Sequence, residues 1–112
     1  MESGNYKACI DACLACAIEC NSCESACLVE EDVRMMVHCI GLNHDCAGIC
    51  YLTAEYVASE SSFMNDIAKL CADACITCAN ECEKHDYDHC RKCAEACRRC
   101  AEACQSVVAE AV

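Results

Sequence analysis

Cysteine recurs through this chain at the spacing of one helix face, and that spacing restricts the fold more than any other feature. Cys9, Cys13, Cys16, Cys20, Cys23 and Cys27 step by four and three residues in alternation. Cys71, Cys75, Cys78 and Cys82 repeat the pattern, as do Cys90, Cys93, Cys97, Cys100 and Cys104. Residues three and four apart stack on one side of an α-helix, and the alternation is the repeat of a packed helical seam. Positions that a bundle would give to Leu and Ile therefore carry thiols. Stability alone does not ask for this, so the core itself is the expected functional site.

The 112 residues contain no proline and three glycines, so little interrupts long helices. The pattern predicts a first helix over about 5–29, with Ser3 or Asn5 as its N-cap. An acidic turn at 30–32 follows, and Asp32 is placed to cap a second helix over about 33–58. The serines at 59–62 lead into a third helix over about 63–84, and Asp86 or Asp88 caps a fourth that runs to about Glu110. Connections this short make consecutive helices antiparallel neighbours. The expected fold is all-α: one domain over residues 1–112, an up-down-up-down antiparallel four-helix bundle with a cysteine-lined core. The second helix is poorest in thiols, with Cys39, Cys46 and Cys50. Its seam also takes in Met36 and Asn43. A buried asparagine needs hydrogen-bond partners or a metal, and both remain open for Asn43.

The 56% apolar content includes the cysteines, and the remainder is largely Ala with one Phe. A conventional core would be thin, so a ligand held by the thiols is expected to add stability. The net charge of −11 argues against a nucleic-acid partner and against an anionic membrane surface. Glu19, Glu24, Glu81, Glu95 and Glu102 fall between cysteines, where they are expected to face water. No apolar run approaches the ~20 residues that span a bilayer. The opening residues lack the basic and apolar regions of a secretory signal, so a cytoplasmic location with reduced thiols is expected.

Several chemistries compete for such a ladder. A disulfide scaffold would need irregular loops rather than straight helices. The Cys-x-x-Cys pairs at 13/16, 20/23, 75/78, 90/93 and 97/100 are each embedded in a longer helical series. Their spacing is a by-product of the helix, and the ferredoxin run of an iron–sulfur redox protein is absent. A zinc or cadmium buffer of metallothionein type would leave a net −2 at every tetrathiolate site. Repeating that along a core costs several kcal/mol per buried charge. One Cu(I) per thiolate is neutral, and soft sulfur selects Cu(I). Multiple Cu(I) ions along the axis are thus the favoured cargo. The Cys9–Cys27 stripe alone spans about 27 Å at ~1.5 Å per residue. A container rather than an enzyme is expected, buffering, storing or detoxifying copper.

The antiparallel layout assigns different residues to the two ends. One end gathers Tyr6, Thr53, Ala54, Val57, Met64, Ile67, Ala68, Val107 and Val108, a mostly apolar plug. The other gathers Cys27, Met36, Cys39, Cys82, His85, His89 and Cys90, with Met35 and His38 nearby. Borderline ligands at one end only predict a copper portal there. His44 is expected to lie on the surface.

Four segments carry a family resemblance: residues 8–13, 44–50, 70–75 and, most specifically, Cys-Glu-Lys-His-Asp-Tyr-Asp-His-Cys at 82–90. Over essentially its whole length the chain resembles the cytosolic copper storage proteins. The resemblance implies a copper column held mainly by thiolates, and His85 and His89 as ligands at a histidine-bearing mouth. It also implies Asn43 as an oxygen ligand and assembly into homotetramers. Copper chaperones or effluxers would be the protein partners. Exported members carry a signal peptide and a Met-rich opening, whereas this chain resembles the cytosolic branch. Met35 and Met36 depart from an all-histidine mouth.

Overall fold

Long unbroken runs of Ala, Cys, Glu and Lys without proline should give long helices, and they do. The structure, a computed structural model, describes residues 4–110. It contains α1 (Gly4–Leu28), α2 (Val37–Ala58), α3 (Met64–Cys82) and α4 (Asp88–Glu110), with a 3₁₀ turn at Val33–Met36. Each helix packs against its two neighbours in the ring α1–α2–α3–α4, and among the described residues the diagonal pairs meet through side chains in the core rather than through close backbones. This is the expected antiparallel four-helix bundle, drawn out to 49 × 17 × 17 Å. Among the described residues no helix is long and apolar enough to cross a membrane.

Small side chains close the bundle. Ala17, Ala68, Ala79 and Ala96 are buried beside the cysteine seam and let the helix backbones approach. The seam of α2 is as expected, with Met36, Cys39, Asn43, Cys46 and Cys50 all buried. At the plug end Thr53, Ala54, Val57, Met64, Ala68 and Val107 are buried, while Tyr6, Ile67 and Val108 are half-buried. The Thr53 hydroxyl donates to the Ile49 carbonyl at 2.7 Å, so this buried hydroxyl is satisfied.

The helix starts differ from expectation. Ser3 lies outside the described residues, and Asn5 sits inside the first turn of α1. Asp32 does not cap its helix: the chain first makes the 3₁₀ turn, and the Asp32 carboxylate accepts the Tyr87 hydroxyl at 2.8 Å. That bond ties the α1–α2 connection to the α3–α4 connection. Asp86 and Asp88 both engage Arg91. Ser61 Oγ accepts the Phe63 N–H at 3.0 Å just before α3.

Candidate metal centre

All eighteen cysteines are free and buried, none more than 1% exposed. At the plug end the Cys9, Cys13 and Cys104 sulfurs lie 3.8–3.9 Å apart. Cys13 passes the contact to Cys100 at 3.6 Å, and Cys100 meets Cys50 and Cys71 at 3.9 Å. Cys50 reaches Cys75 at 3.8 Å, and Cys75 reaches Cys46 at 3.7 Å and Cys16 at 3.9 Å. From Cys16 the run continues to Cys97 at 3.6 Å and Cys20 at 3.9 Å, and from Cys20 to Cys93 at 3.6 Å. The helix register has become one axial file of sulfur.

Four sulfurs come within 4.8 Å of one another in each of several sets. These include Cys13, Cys71, Cys100 and Cys104; Cys16, Cys46, Cys50 and Cys75; and Cys16, Cys20, Cys46 and Cys97. Cys20, Cys78, Cys93 and Cys97 make another, as do Cys23, Cys27, Cys39 and Cys90. Cys16, Cys20, Cys46 and Cys97 each belong to two sets, the arrangement that lets a thiolate bridge neighbouring ions.

Hydrogen bonding divides the acidities of these thiols. Cys9 is lowered to about 4 by its neighbours Cys104 and Cys13, which donate to its thiolate. Cys13 is raised, first by its bond to Cys100. One thiolate in such a group is stabilised by protons that the neighbours must then keep. Near the other end, burial is the leading cause that raises Cys27 and Cys90. A metal entering the bore therefore displaces protons.

That other end is built as the register predicts, with additional parts. His89 Nε2–H donates to Glu30 at 2.9 Å. The carboxylate only accepts, so Nε2 carries a proton; Nδ1 lies 3.3 Å from the Cys23 sulfur, accepting from its thiol when the ring is neutral and donating to its thiolate when the ring is charged. Cys90 lies 3.6 Å from the same nitrogen. Burial opposes charging His89, but the bonds to Cys23 and Glu30 outweigh it and raise its pKa. His85 Nε2–H donates to Glu81 at 2.8 Å, and among the described residues no hydrogen bond joins His85 to a thiol.

Glu81 corrects an expectation. It does not face water but is 8% exposed, with Lys84 at 3.4 Å as a second partner. Burial would raise its pKa, yet the bonds from His85 and Lys84 hold it below the ordinary value. Glu30 and Glu81 were not legible as site residues. Glu81 stands four before His85, a usable signal, whereas the Glu30–His89 pair joins residues far apart in sequence. Met36 is fully buried at this end, while Met35 and His38 are exposed. His44 is on the surface, as expected, 3.4 Å from Glu24.

Asn43 lies inside the file. Its Oδ1 accepts from Cys78 and Cys93 at 3.1 Å and, more weakly, from Cys82 at 3.8 Å. Its Nδ2 donates to Cys39 at 3.6 Å. Hydrogen bonding, one of the two roles the sequence left open for this residue, is thus present.

Four helices closed around a bore of free, reduced thiols define a metal-sequestering bundle protein. The family model described as copper storage protein matches residues 2–109, and the chain belongs to that family. It is 45% identical to the Cu(I)-bound copper storage protein BsCsp3, with a TM-score of 0.89, covering 93% of this chain and 98% of that one. A cytosolic copper storage protein from Streptomyces lividans, solved with five coppers, is 38% identical with a TM-score of 0.91, covering 94% and 92%. An uncharacterized cysteine-rich protein of Bacillus subtilis, YhjQ, is 47% identical over 88 residues, 79% of this chain and 82% of its own length.

Proposed function

We propose that this chain, acting as one domain, takes up Cu(I) at the end marked by His85 and His89 and stores it as a column along the axis. The ligands are the eighteen cysteine thiolates, with Asn43 supplying an oxygen and the two histidines serving at the mouth. The observation that carries the reading is the continuous file of buried, unpaired sulfurs at 3.6–3.9 Å. Structural thiols have no reason to line up in this way. Charge balance supports the choice of ion, because one Cu(I) per thiolate adds no net charge to the bore.

The mouth assignment draws support from the two histidine–carboxylate pairs. A ligand imidazole is commonly oriented by a carboxylate on its other nitrogen, and Glu30 does this for His89. The opposite end is closed by Val57, Met64 and Val107, which offer no thiolate. Likeness to the cytosolic Streptomyces protein supports a cytosolic location. There the chain would exchange copper with chaperones or effluxers and assemble as a homotetramer, acting as a store rather than as a catalyst.

Anaerobic titration against a competing Cu(I) chelator tests the proposal by counting bound ions. A count near the cysteine number, with about one proton released per ion, is expected. A count near a quarter of it would point to separate tetrathiolate sites and defeat the column.

A further inference from the structure

The two mouth histidines look in different directions. His89 turns Nδ1 to the thiols, 3.3 Å from Cys23 and 3.6 Å from Cys90. His85 turns Nε2 to Glu81 Oε2 at 2.8 Å, and among the described residues it bonds to no thiol. The other oxygen of Glu81 faces a third histidine. His38, in the first turn of α2, places Nε2 4.0 Å from Glu81 Oε1. Lys84 Nζ lies 3.4 Å from the same oxygen. His38, Glu81 and His85 thus meet beside the mouth, with no sulfur among them.

The spacing of these atoms matches an ion between them. Imidazole nitrogen and carboxylate oxygen bind a borderline divalent ion such as Zn(II) at about 2.0–2.2 Å. Two ligands of one ion then stand roughly 3 Å apart when adjacent and about 4 Å apart when opposite. The His85–Glu81 distance is close to the first value and the His38–Glu81 distance to the second. At 4.0 Å His38 is too far to hydrogen-bond Glu81 directly, whereas an ion would close that gap. Lys84 Nζ already marks a place where positive charge is favoured beside the buried carboxylate. The lysine is itself exposed, so it can withdraw into water when a more tightly held cation arrives. Two imidazoles and a carboxylate are donors for a borderline divalent ion, and without sulfur they do not favour Cu(I).

We propose that His38, Glu81 and His85 form a second metal site, outside the thiol bore, that takes a borderline divalent cation of the Zn(II) type. Each imidazole supplies Nε2 and Glu81 supplies its carboxylate. On binding, the His85 proton leaves Nε2 and the neutral ring carries its proton on Nδ1, while the Lys84 ammonium turns to solvent. His38 is 73% exposed, so water reaches the remaining coordination position. The ion joins the start of α2 to the turn that follows α3. A Cu(I) ion in transit and the divalent ion both use His85, so the outer site is filled when no copper is crossing the mouth.

Co(II) tests this, because it stands in for Zn(II) and reports its ligands by absorption. The protein is first loaded anaerobically with Cu(I), which occupies the thiolates, and its copper is counted. Co(II) is then added, and bound cobalt is measured by equilibrium dialysis and by its spectrum. One Co(II) per chain is expected, with the weak visible bands of nitrogen and oxygen ligands and without intense thiolate-to-cobalt absorption. His38→Ala and Glu81→Gln should each weaken binding by at least about tenfold. His44→Ala removes another exposed histidine that lies beside a glutamate, and it should leave binding unchanged. No bound cobalt, thiolate-type absorption alone, or an affinity that survives His38→Ala would overturn the outer site. Storage of Cu(I) enters only as the loaded starting state. The copper count taken before cobalt is added tests storage separately, and the His38-dependent cobalt signal tests the outer site whatever that count is.

Discussion

A cysteine in a bundle core gives up most of the volume that Leu would supply and offers instead a group that can lose its proton to a metal. Each mouth histidine is paired with a carboxylate, Glu30 for His89 and Glu81 for His85. For His89 this leaves Nδ1, in the neutral ring, as an acceptor beside Cys23, where it can hold an incoming ion loosely. Replacing His85 and His89 together with Ala should slow copper uptake by about tenfold, the scale of losing oriented ligands, with little change in the final count. Stopped-flow loading measures this, and unchanged rates of uptake and release would rule out the portal. Both histidines stood out in the sequence through their distance from Cys82 and Cys93. Their carboxylates did not, because the burial of Glu81 depends on how α3 and its neighbours close over it.

The four helices were legible as elements, since a 3/4 cysteine pattern admits no other regular structure. Their starts were not. Asp32 has the right chemistry for a cap, but Tyr87 competes for its carboxylate from across the bundle. The end of α2 is similar. Ser61 N–H reaches back to the Tyr56 carbonyl at 3.0 Å and Glu60 N–H to Val57 at 3.1 Å, closing the helix with Glu60 at φ 51°. Such a closing position normally belongs to glycine. A left-handed conformation costs a side-chain-bearing residue ~1–2 kcal/mol, partly offset by the greater freedom of glycine when unfolded. Glu60→Gly should therefore stabilise the apo-protein by ~0.5–1 kcal/mol in chemical denaturation. A loss of stability would show that Glu60 contributes through its side chain more than its backbone costs.

Over the whole molecule, the narrow 17 Å cross-section follows from a core of Cys and Ala. Such a core buries little hydrocarbon, so stability should respond strongly to cargo. A ligand at a thousand times its dissociation constant adds ~4 kcal/mol per site. In a bundle of this size that corresponds to a rise in Tm of at least about 15 °C. Anaerobic thermal unfolding with and without Cu(I) measures the rise, and a strong Cu(I) chelator should reverse it. An unchanged Tm would mean that the thiols bind no more tightly in the native bundle than in the unfolded chain. By itself the sequence determined the helices, their antiparallel order, the face each thiol occupies and the end that carries the histidines, because those follow from local periodicity and short connections. Only the tertiary structure decided which sulfurs touch, that Glu30 and Glu81 hold the histidines, and that Asn43 bonds cysteines of three helices. Those contacts join different helices, and their distances depend on how closely the helices pack, which no spacing along one chain encodes.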